Sequence, residues 1–309
     1  MQRRKFVQQS FLAGASVIAA SNLKAAAGNT TDKPSSATPF NLNYGIHDGM
    51  FTNSAGKNFL DQIQYAYDNG FRAIEDNGMV SRPIDEQTKI GEKLSKLGMT
   101  MGVFVLDKGG NGANSLATGK PEYTDIFLKG CRQAVETAKR VNAKWVTVVP
   151  GDFERHLSIG LQTANVITAL RKGAEIFEPN NLVMVLEALS DTPDLFLRSS
   201  DQTYEICKAV NSPSCKILFD IYHMQKNDGN IINRMNDAWD EIAYIQIGDN
   251  PGRKEPTTGE INYKNVFKFI HSKGYKGVMG MEHGISKPGK EGEQRLIQAY
   301  RECDDFLQA

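Results

Sequence analysis

The chain of 309 residues balances 36 Lys and Arg against 36 Asp and Glu, a formal charge of zero that leaves no electrostatic footprint for nucleic acid. With 40% hydrophobic and 23% charged residues it has the composition of a soluble globular protein, not of a disordered or membrane chain. Its four cysteines, 131, 207, 215 and 303, form no CxxC pair and show no cysteine–histidine ligand spacing, which argues against a structural zinc site.

The first segment reads as an address. Met1-Gln2-Arg3-Arg4-Lys5-Phe6-Val7 is followed by small and apolar residues from Phe11 to Ala20, then by Lys24-Ala25-Ala26-Ala27-Gly28. A charged start, a short apolar run and a small-residue cleavage site make a signal peptide, too short for a bilayer span of about 20 residues. Adjacent Arg3 and Arg4 with Phe6 are similar to the twin-arginine export signal; a general secretory signal and an uncleaved anchor are the competing readings. Residues 1–27 are thus expected to be an export signal, 28–40 a flexible leader rich in Thr, Ser, Asn and Pro, and 41–309 a catalytic domain in the periplasm, with no stable membrane anchor after cleavage. Removing 1–27 takes away four basic residues and no acid, so the mature chain carries a net charge of −4. In an oxidising compartment Cys207 and Cys215 either pair or remain thiols.

From residue 41 a single pattern repeats. Short β-branched or apolar runs fall at Leu42–His47, Phe71–Glu75, Thr100–Leu106, Trp145–Val149, Leu182–Glu187, Lys216–Asp220, Ile242–Gln246 and Gly277–Glu282. Between them lie helically spaced apolar residues, such as Ile126, Cys131, Ala134 and Ala138. Several strands follow a helix stop, as at Asn69-Gly70, Leu97-Gly98 and Lys273-Gly274. Eight strand–helix units predict parallel strands with right-handed crossovers, closed as a (β/α)8 TIM barrel by the helix Glu291–Leu307. An open doubly wound sheet is the alternative, but Gly45-Ile46-His47-Asp48-Gly49 is not a phosphate-binding GxGxxG turn.

In such a barrel chemistry collects at the C-terminal strand ends. Four consecutive strands, the fifth to the eighth, finish in an oxygen-bearing side chain: Glu187, Asp220, Gln246 and Glu282. Three carboxylates in one mouth repel one another, and a divalent cation removes that cost. Three carboxylates plus an amide oxygen are hard ligands that suit one Mn2+ or Mg2+ ion, with Co2+ as a further candidate and no organic cofactor. His223, three residues after Asp220, sits above the mouth as a candidate substrate contact, and His47 and Glu75 end the first two strands with the same candidacy. The loop from Ile247 to Tyr263 is dense in polar and turn-forming residues. Within it Arg253 offers a planar fork for a carboxylate or a pair of sugar hydroxyls, unless Glu255 and Glu260 simply pair with it.

At these residues the sequence resembles the hydroxypyruvate isomerase group of the xylose isomerase-like TIM barrels, whose wider relatives include ketose 3-epimerases. The most specific segments are Asp220-Ile221-Tyr222-His223-Met224-Gln225 and Asn250-Pro251-Gly252-Arg253-Lys254-Glu255-Pro256 with Gly259-Glu260-Ile261-Asn262-Tyr263. The resemblance implies that Glu187, Asp220, Gln246 and Glu282 bind the metal and that His223 and Arg253 contact substrate. It also implies that the barrel forms a homodimer or homotetramer. Two positions depart from the family: Glu187 is followed by Ala188-Leu189-Ser190 where Glu-Pro is usual, and Tyr244 stands where a His is usual.

The expected function is isomerisation of a small α-hydroxy-carbonyl compound, hydroxypyruvate-like or a sugar. Glu187 and Glu282 would be the acid–base pair and a cis-enediolate the intermediate. An exported epimerase or lyase acting on a keto-sugar or 3-keto-glycoside is the alternative, with a non-catalytic sugar-binding barrel behind it. A phosphodiester-cleaving relative would gather several His into a multi-metal cluster, whereas this chain has five, spread over 47, 156, 223, 271 and 283.

Overall fold

The computed structural model describes residues 37–307; residues 1–27, expected to be an export signal, and residues 28–36 of the expected leader lie outside the described residues. The chain runs β1 (Asn43–Ile46), α1 (Thr52–Ala55), α2 (Phe59–Asp68), β2 (Ala73–Ile74), α3 (Ile84–Leu97), β3 (Thr100–Met101), β4 (Val103–Val105), α4 (Pro121–Val141), β5 (Trp145–Val148) and α5 (Ile159–Phe177). It continues through β6 (Val183–Glu187), α6 (Ser200–Val210), β7 (Cys215–Asp220), α7 (Ile221–Asn227), α8 (Ile231–Asp237), β8 (Ile242–Gln246), α9 (Tyr263–Ser272), β9 (Val278–Gly280) and α10 (Gly289–Asp304). No described helix is long and apolar enough to cross a membrane.

All strand pairings are parallel, in the order β3-β2-β1-β9-β8-β7-β6-β5-β4. Only Gly102 separates β3 from β4, so the two ends of the sheet are halves of one strand and the barrel is nearly closed. The expected eight strands therefore become nine segments. The break falls where Tyr244 reaches across the barrel: a Cβ on Gly102 would lie 2.8 Å from the Ile74 carbonyl oxygen and would collide with the Tyr244 hydroxyl. Only glycine fits there.

Period-two alternation decides which side chains face the axis. Ala73, Val103, Val183, Val185, Leu218, Tyr244 and Val278 form one small buried cluster inside the barrel. Met184, Leu186, Ile217, Phe219, Ile245 and Met279, one residue out of step, join the large core between barrel and helices. The inward parity carries forward from Val185 to Glu187, from Leu218 to Asp220, from Tyr244 to Gln246 and from Ala73 to Glu75. Oxygen-bearing side chains are delivered to the mouth by the same alternation that packs valine beneath them.

The helix stops expected at Gly70, Gly98 and Gly274 all adopt positive φ, and Asn142 and Asn211 close α4 and α6 in the left-handed conformation. The ends of the barrel are tied by Asp304, whose carboxylate accepts from Asn41 N (2.6 Å), Leu42 N (3.3 Å) and Tyr44 Oη (2.8 Å). All four cysteines are buried free thiols, Cys207 and Cys215 included.

Candidate active site at the barrel mouth

β6 and β7 each end in a buried acid, Glu187 and Asp220, and Gln246 at the end of β8 is buried in register with Asp220. Glu282 follows β9 by two residues and is half-buried. One ligand atom from each of Glu187, Asp220, Glu282 and His223 falls within 4.8 Å of all the others. Asp220 also caps α7, its Oδ1 accepting from Tyr222 N (2.7 Å) and His223 N (3.2 Å), which leaves Oδ2 to face the mouth. Burial, then the charges of Glu282 and Asp220, hold the Glu187 carboxyl well above the ordinary carboxylate range. Burial, then Asp220 and Glu75, push Glu282 up to about 8.

Buried polar atoms without a protein partner gather here: Glu187 Oε1, Gln246 Oε1 and His223 Nε2, with Asn77 Oδ1 beside Glu282. An orphaned buried acceptor costs about 1–3 kcal/mol. Two bare acceptors, Glu187 Oε1 and Gln246 Oε1, at strand ends beside carboxylates that resist ionising together fit a bound divalent cation by the chemistry of the donor set.

His223 is held from behind. Its Nδ1 receives the Ser190 backbone N–H (3.1 Å) and lies 2.7 Å from Ser190 Oγ, while Nε2 sits 3.6 Å from Asp220 Oδ2 and 3.9 Å from Glu187 Oε1. Burial drives the imidazole pKa down, so the ring is neutral at neutral pH. A ring nitrogen that accepts a backbone N–H carries no proton, which places the hydrogen on Nε2. His223 therefore presents a donor to the mouth, and it is not set up as a metal ligand through that nitrogen.

The β1–β2 side is built differently. Glu75 is fully buried: Oε1 accepts from Gln246 Nε2 (2.7 Å) and pairs with His47 Nε2 (2.8 Å), and Oε2 accepts from Tyr244 Oη (2.8 Å). Burial opposes the charge on His47, but Glu75 outweighs it and raises the imidazole pKa. Of these two expected substrate contacts, His47 lines the open cavity, whereas the Glu75 carboxylate is fully buried.

Arg253 reaches over the cluster from the loop after β8. Its Nη2 donates to Glu282 Oε2 (2.8 Å) and Asp220 Oδ2 (3.3 Å), Nε donates to the Glu282 carbonyl (3.2 Å), and the guanidinium lies 5.0 Å from the Tyr222 ring centre. Glu255 and Glu260 are not its partners: Glu255 accepts from Ser286 and Glu260 from Gln225. The loop takes its shape from buried Asp249, which sequence reasoning missed. Its carboxylate accepts four backbone N–H groups, those of Asn250, Thr258, Gly259 and Ile261. Asn77, also unforeseen, donates to Glu282 Oε1 (2.7 Å). The glycine-rich loop after β4 is anchored from within by Lys108, whose ammonium donates to the carbonyls of Gly110, Asn111 and Ala113 and whose pKa burial lowers to about 8.

A cavity of about 570 Å3 opens beside the cluster, lined among others by His47, Asp48, Asn77, Arg253, Glu282 and His283. His283 Nε2 lies 2.8 Å from Tyr300 Oη, and burial pushes this imidazole down to about 4.

A parallel α/β barrel with an acidic cluster at the C-terminal mouth of its strands defines the class of protein. The family model described as a xylose isomerase-like TIM barrel matches residues 63–303, and the chain belongs to that family. Among curated relatives, hydroxypyruvate isomerase of Escherichia coli (strain K12) is 29% identical over 245 residues, covering 79% of this chain and 94% of its own. A structure titled AP endonuclease, family 2, from Brucella melitensis superposes with a TM-score of 0.70 at 22% identity over 81% of this chain and 96% of its own. The apo 3-keto-D-glucoside 4-epimerase of E. coli gives 0.68 at 18% identity over 85% and 98%. Both structures share the fold.

Proposed function

We propose that this chain is a divalent-metal-dependent isomerase of an α-hydroxy-carbonyl compound, working through a cis-enediolate. The observation that carries the reading is the pair of unpartnered buried acceptors, Glu187 Oε1 and Gln246 Oε1, in a mouth whose Glu187 and Glu282 carboxyls are pushed up by burial and by neighbouring acids. Glu187, Asp220, Gln246 and Glu282 would hold a Mn2+ or Mg2+ ion. Such an ion, when bound, polarises the carbonyl and its neighbouring hydroxyl and acidifies the C–H between them.

The protein's own groups do the rest. Glu187, on β6, and Glu282, beyond β9, are separated by β7 and β8 in the sheet, so a substrate between them meets one carboxylate on each side. One takes the C–H proton and the electron pair becomes the enediolate double bond. Return of that proton to the adjacent carbon isomerises the substrate; delivery by the opposite Glu to the same carbon epimerises it. His223 Nε2–H donates to the oxygen that gains charge, and Arg253 and His47 fix the hydroxyls or carboxylate beyond it.

A second reading, epimerase or lyase action on a keto-sugar or 3-keto-glycoside, is favoured by the cavity. Its 570 Å3 lies within the roughly 300–1,000 Å3 of sites for drug-sized ligands, far beyond a three-carbon acid. Its lining includes the Asp48 and Glu282 carboxylates, and the one Arg or Lys lining it, Arg253, is already paired with acids. That lining suits an uncharged polyol better than an anion. Residues 1–27 support export by the twin-arginine route, where glycosides are met.

The test is proton exchange in D2O with residues 28–309, stripped of metal and resupplied with Mn2+. Metal-dependent deuterium uptake by hydroxypyruvate, with tartronate semialdehyde forming, establishes the first reading. Exchange or aglycone release from a 3-keto-glucoside alone establishes the second. Bound Mn2+ without exchange in any α-hydroxy-carbonyl compound refutes both.

A further inference from the structure

One fully satisfied carboxylate among the strand ends of the mouth is not a proposed metal ligand. Glu75 faces inward from the end of β2 with no exposure, and its two oxygens engage His47, Tyr244 and Gln246. Two glycines clear the space for this arrangement. A Cβ on Gly280 of β9 would overlap Glu75 Oε2, and one on Gly102 would overlap the Tyr244 hydroxyl that donates to it.

A primary amide can present either its oxygen or its NH2 to the mouth, and these are opposites for a cation. A carboxylate oxygen set against a primary amide takes its NH2. Placed against Gln246 Nε2 at 2.7 Å, Glu75 forces the NH2 group toward itself and turns Oε1 the other way. Gln246 Oε1 is the atom left buried and without a protein partner, beside Asp220 in the ladder. With the NH2 anchored on Glu75, the oxygen is the end of the amide left for a ligand.

Resting on the metal reading above, we propose that Glu75 is a positioning residue that locks the Gln246 amide oxygen-first toward the cluster and thereby sets its affinity for a divalent cation. Substituting glutamine for Glu75 keeps the shape but supplies an NH2 of its own. Gln246 can then flip and turn its NH2 on the cation site.

The experiment is calorimetric titration of the metal-free protein with Mn2+, without substrate, alongside the melting temperature of each metal-free variant. Glu75→Gln should weaken Mn2+ binding 10- to 100-fold, the usual effect of losing a group that orients a ligand. Tyr244→Phe, which leaves the Glu75–Gln246 pair intact, should stay within about threefold of wild type. Gln246→Met should lose the same affinity as Glu75→Gln, and the double variant no more than either single one. Wild-type Mn2+ affinity in Glu75→Gln, or additive losses in the double variant, overturns the proposal while the metal reading stands. If Glu75→Gln does not fold, wild-type affinity in Gln246→Met overturns it instead. A wild-type protein that binds no Mn2+ overturns the metal reading itself.

Discussion

The two sides of the barrel mouth use the same residue types and finish them in opposite ways. On the β1–β2 side, Glu75 is buried with its oxygens bonded to His47, Tyr244 and Gln246. On the β6–β7 side, Glu187 and His223 are just as buried, yet Glu187 Oε1 and His223 Nε2 meet nothing from the protein. Leaving buried polar atoms bare is costly, and the fold shows on one side that it can avoid the cost. The bare atoms of Glu187 and His223 therefore mark where a ligand belongs, and the satisfied carboxylate of Glu75 is its support.

The largest effect expected from that contrast is chemical. Glu187→Gln keeps the side chain's shape and removes a base, so turnover should fall about 10^3-fold, or about 4 kcal/mol in the barrier. The melting temperature should change little. Glu282→Gln should behave alike, and near-normal turnover in either variant would break the contrast at its centre.

Next in size is the support for Arg253. Asp249 gathers four backbone N–H groups, and its own carbonyl accepts from Arg253 N (2.7 Å). Asp249→Ala leaves those donors in a buried loop and should cost about 3 kcal/mol in a urea melt. It should also lower kcat/KM, because Arg253 is held at a φ of 49° that the loop must enforce. An unaltered melt would mean the loop is shaped from elsewhere.

What the sequence revealed and what it concealed divide along the same physical line. Glu187, Asp220 and Gln246 were legible because each ends an apolar run whose alternation fixes its direction, and period two is a local property. Asp249, Ser190 and Asn77 were not, since each is one polar residue in a polar loop and its role depends on partners brought close only by folding. The broken third strand was equally hidden: Gly102 is required by Tyr244, which lies on β8, far along the chain. Glu75 was visible as a strand end, but its enclosure by His47, Tyr244 and Gln246 depends on partners from other strands and was not.

Loading the site should give an effect of about 2.7 kcal/mol at a Mn2+ concentration a hundred times the dissociation constant, seen as a rise in melting temperature. Its pH dependence sharpens the contrast. Burial, then Asp220 and Glu75, raise Glu282 from its ordinary 4.5 to about 8 in the fold. The folded state then binds a proton that the unfolded state releases. Metal-free protein should accordingly be most stable below about 4.5 with respect to this group, and should lose that stability as pH rises toward 8. Mn2+ should reverse the trend over the same window. A metal-free melting temperature that climbs between pH 5 and 8 would show that the acidic side carries no such strain.

The smallest effect concerns the one support on the β6–β7 side. Ser190 gives His223 Nδ1 two neighbours, its backbone N–H and its hydroxyl. Ser190→Ala removes only the hydroxyl, so Nδ1 still accepts the backbone proton and the hydrogen stays on Nε2. The ring loses one hydrogen bond of about 1 kcal/mol, and kcat/KM should fall about fivefold, with the 15N shifts of His223 still reporting the Nε2–H tautomer. A loss as deep as that of Glu187→Gln, with the tautomer unchanged, would mean that the serine hydroxyl itself acts on the substrate. A shift of the proton to Nδ1 would turn His223 from a donor into a fifth candidate metal ligand, and the unpartnered Nε2 would then belong to the cation.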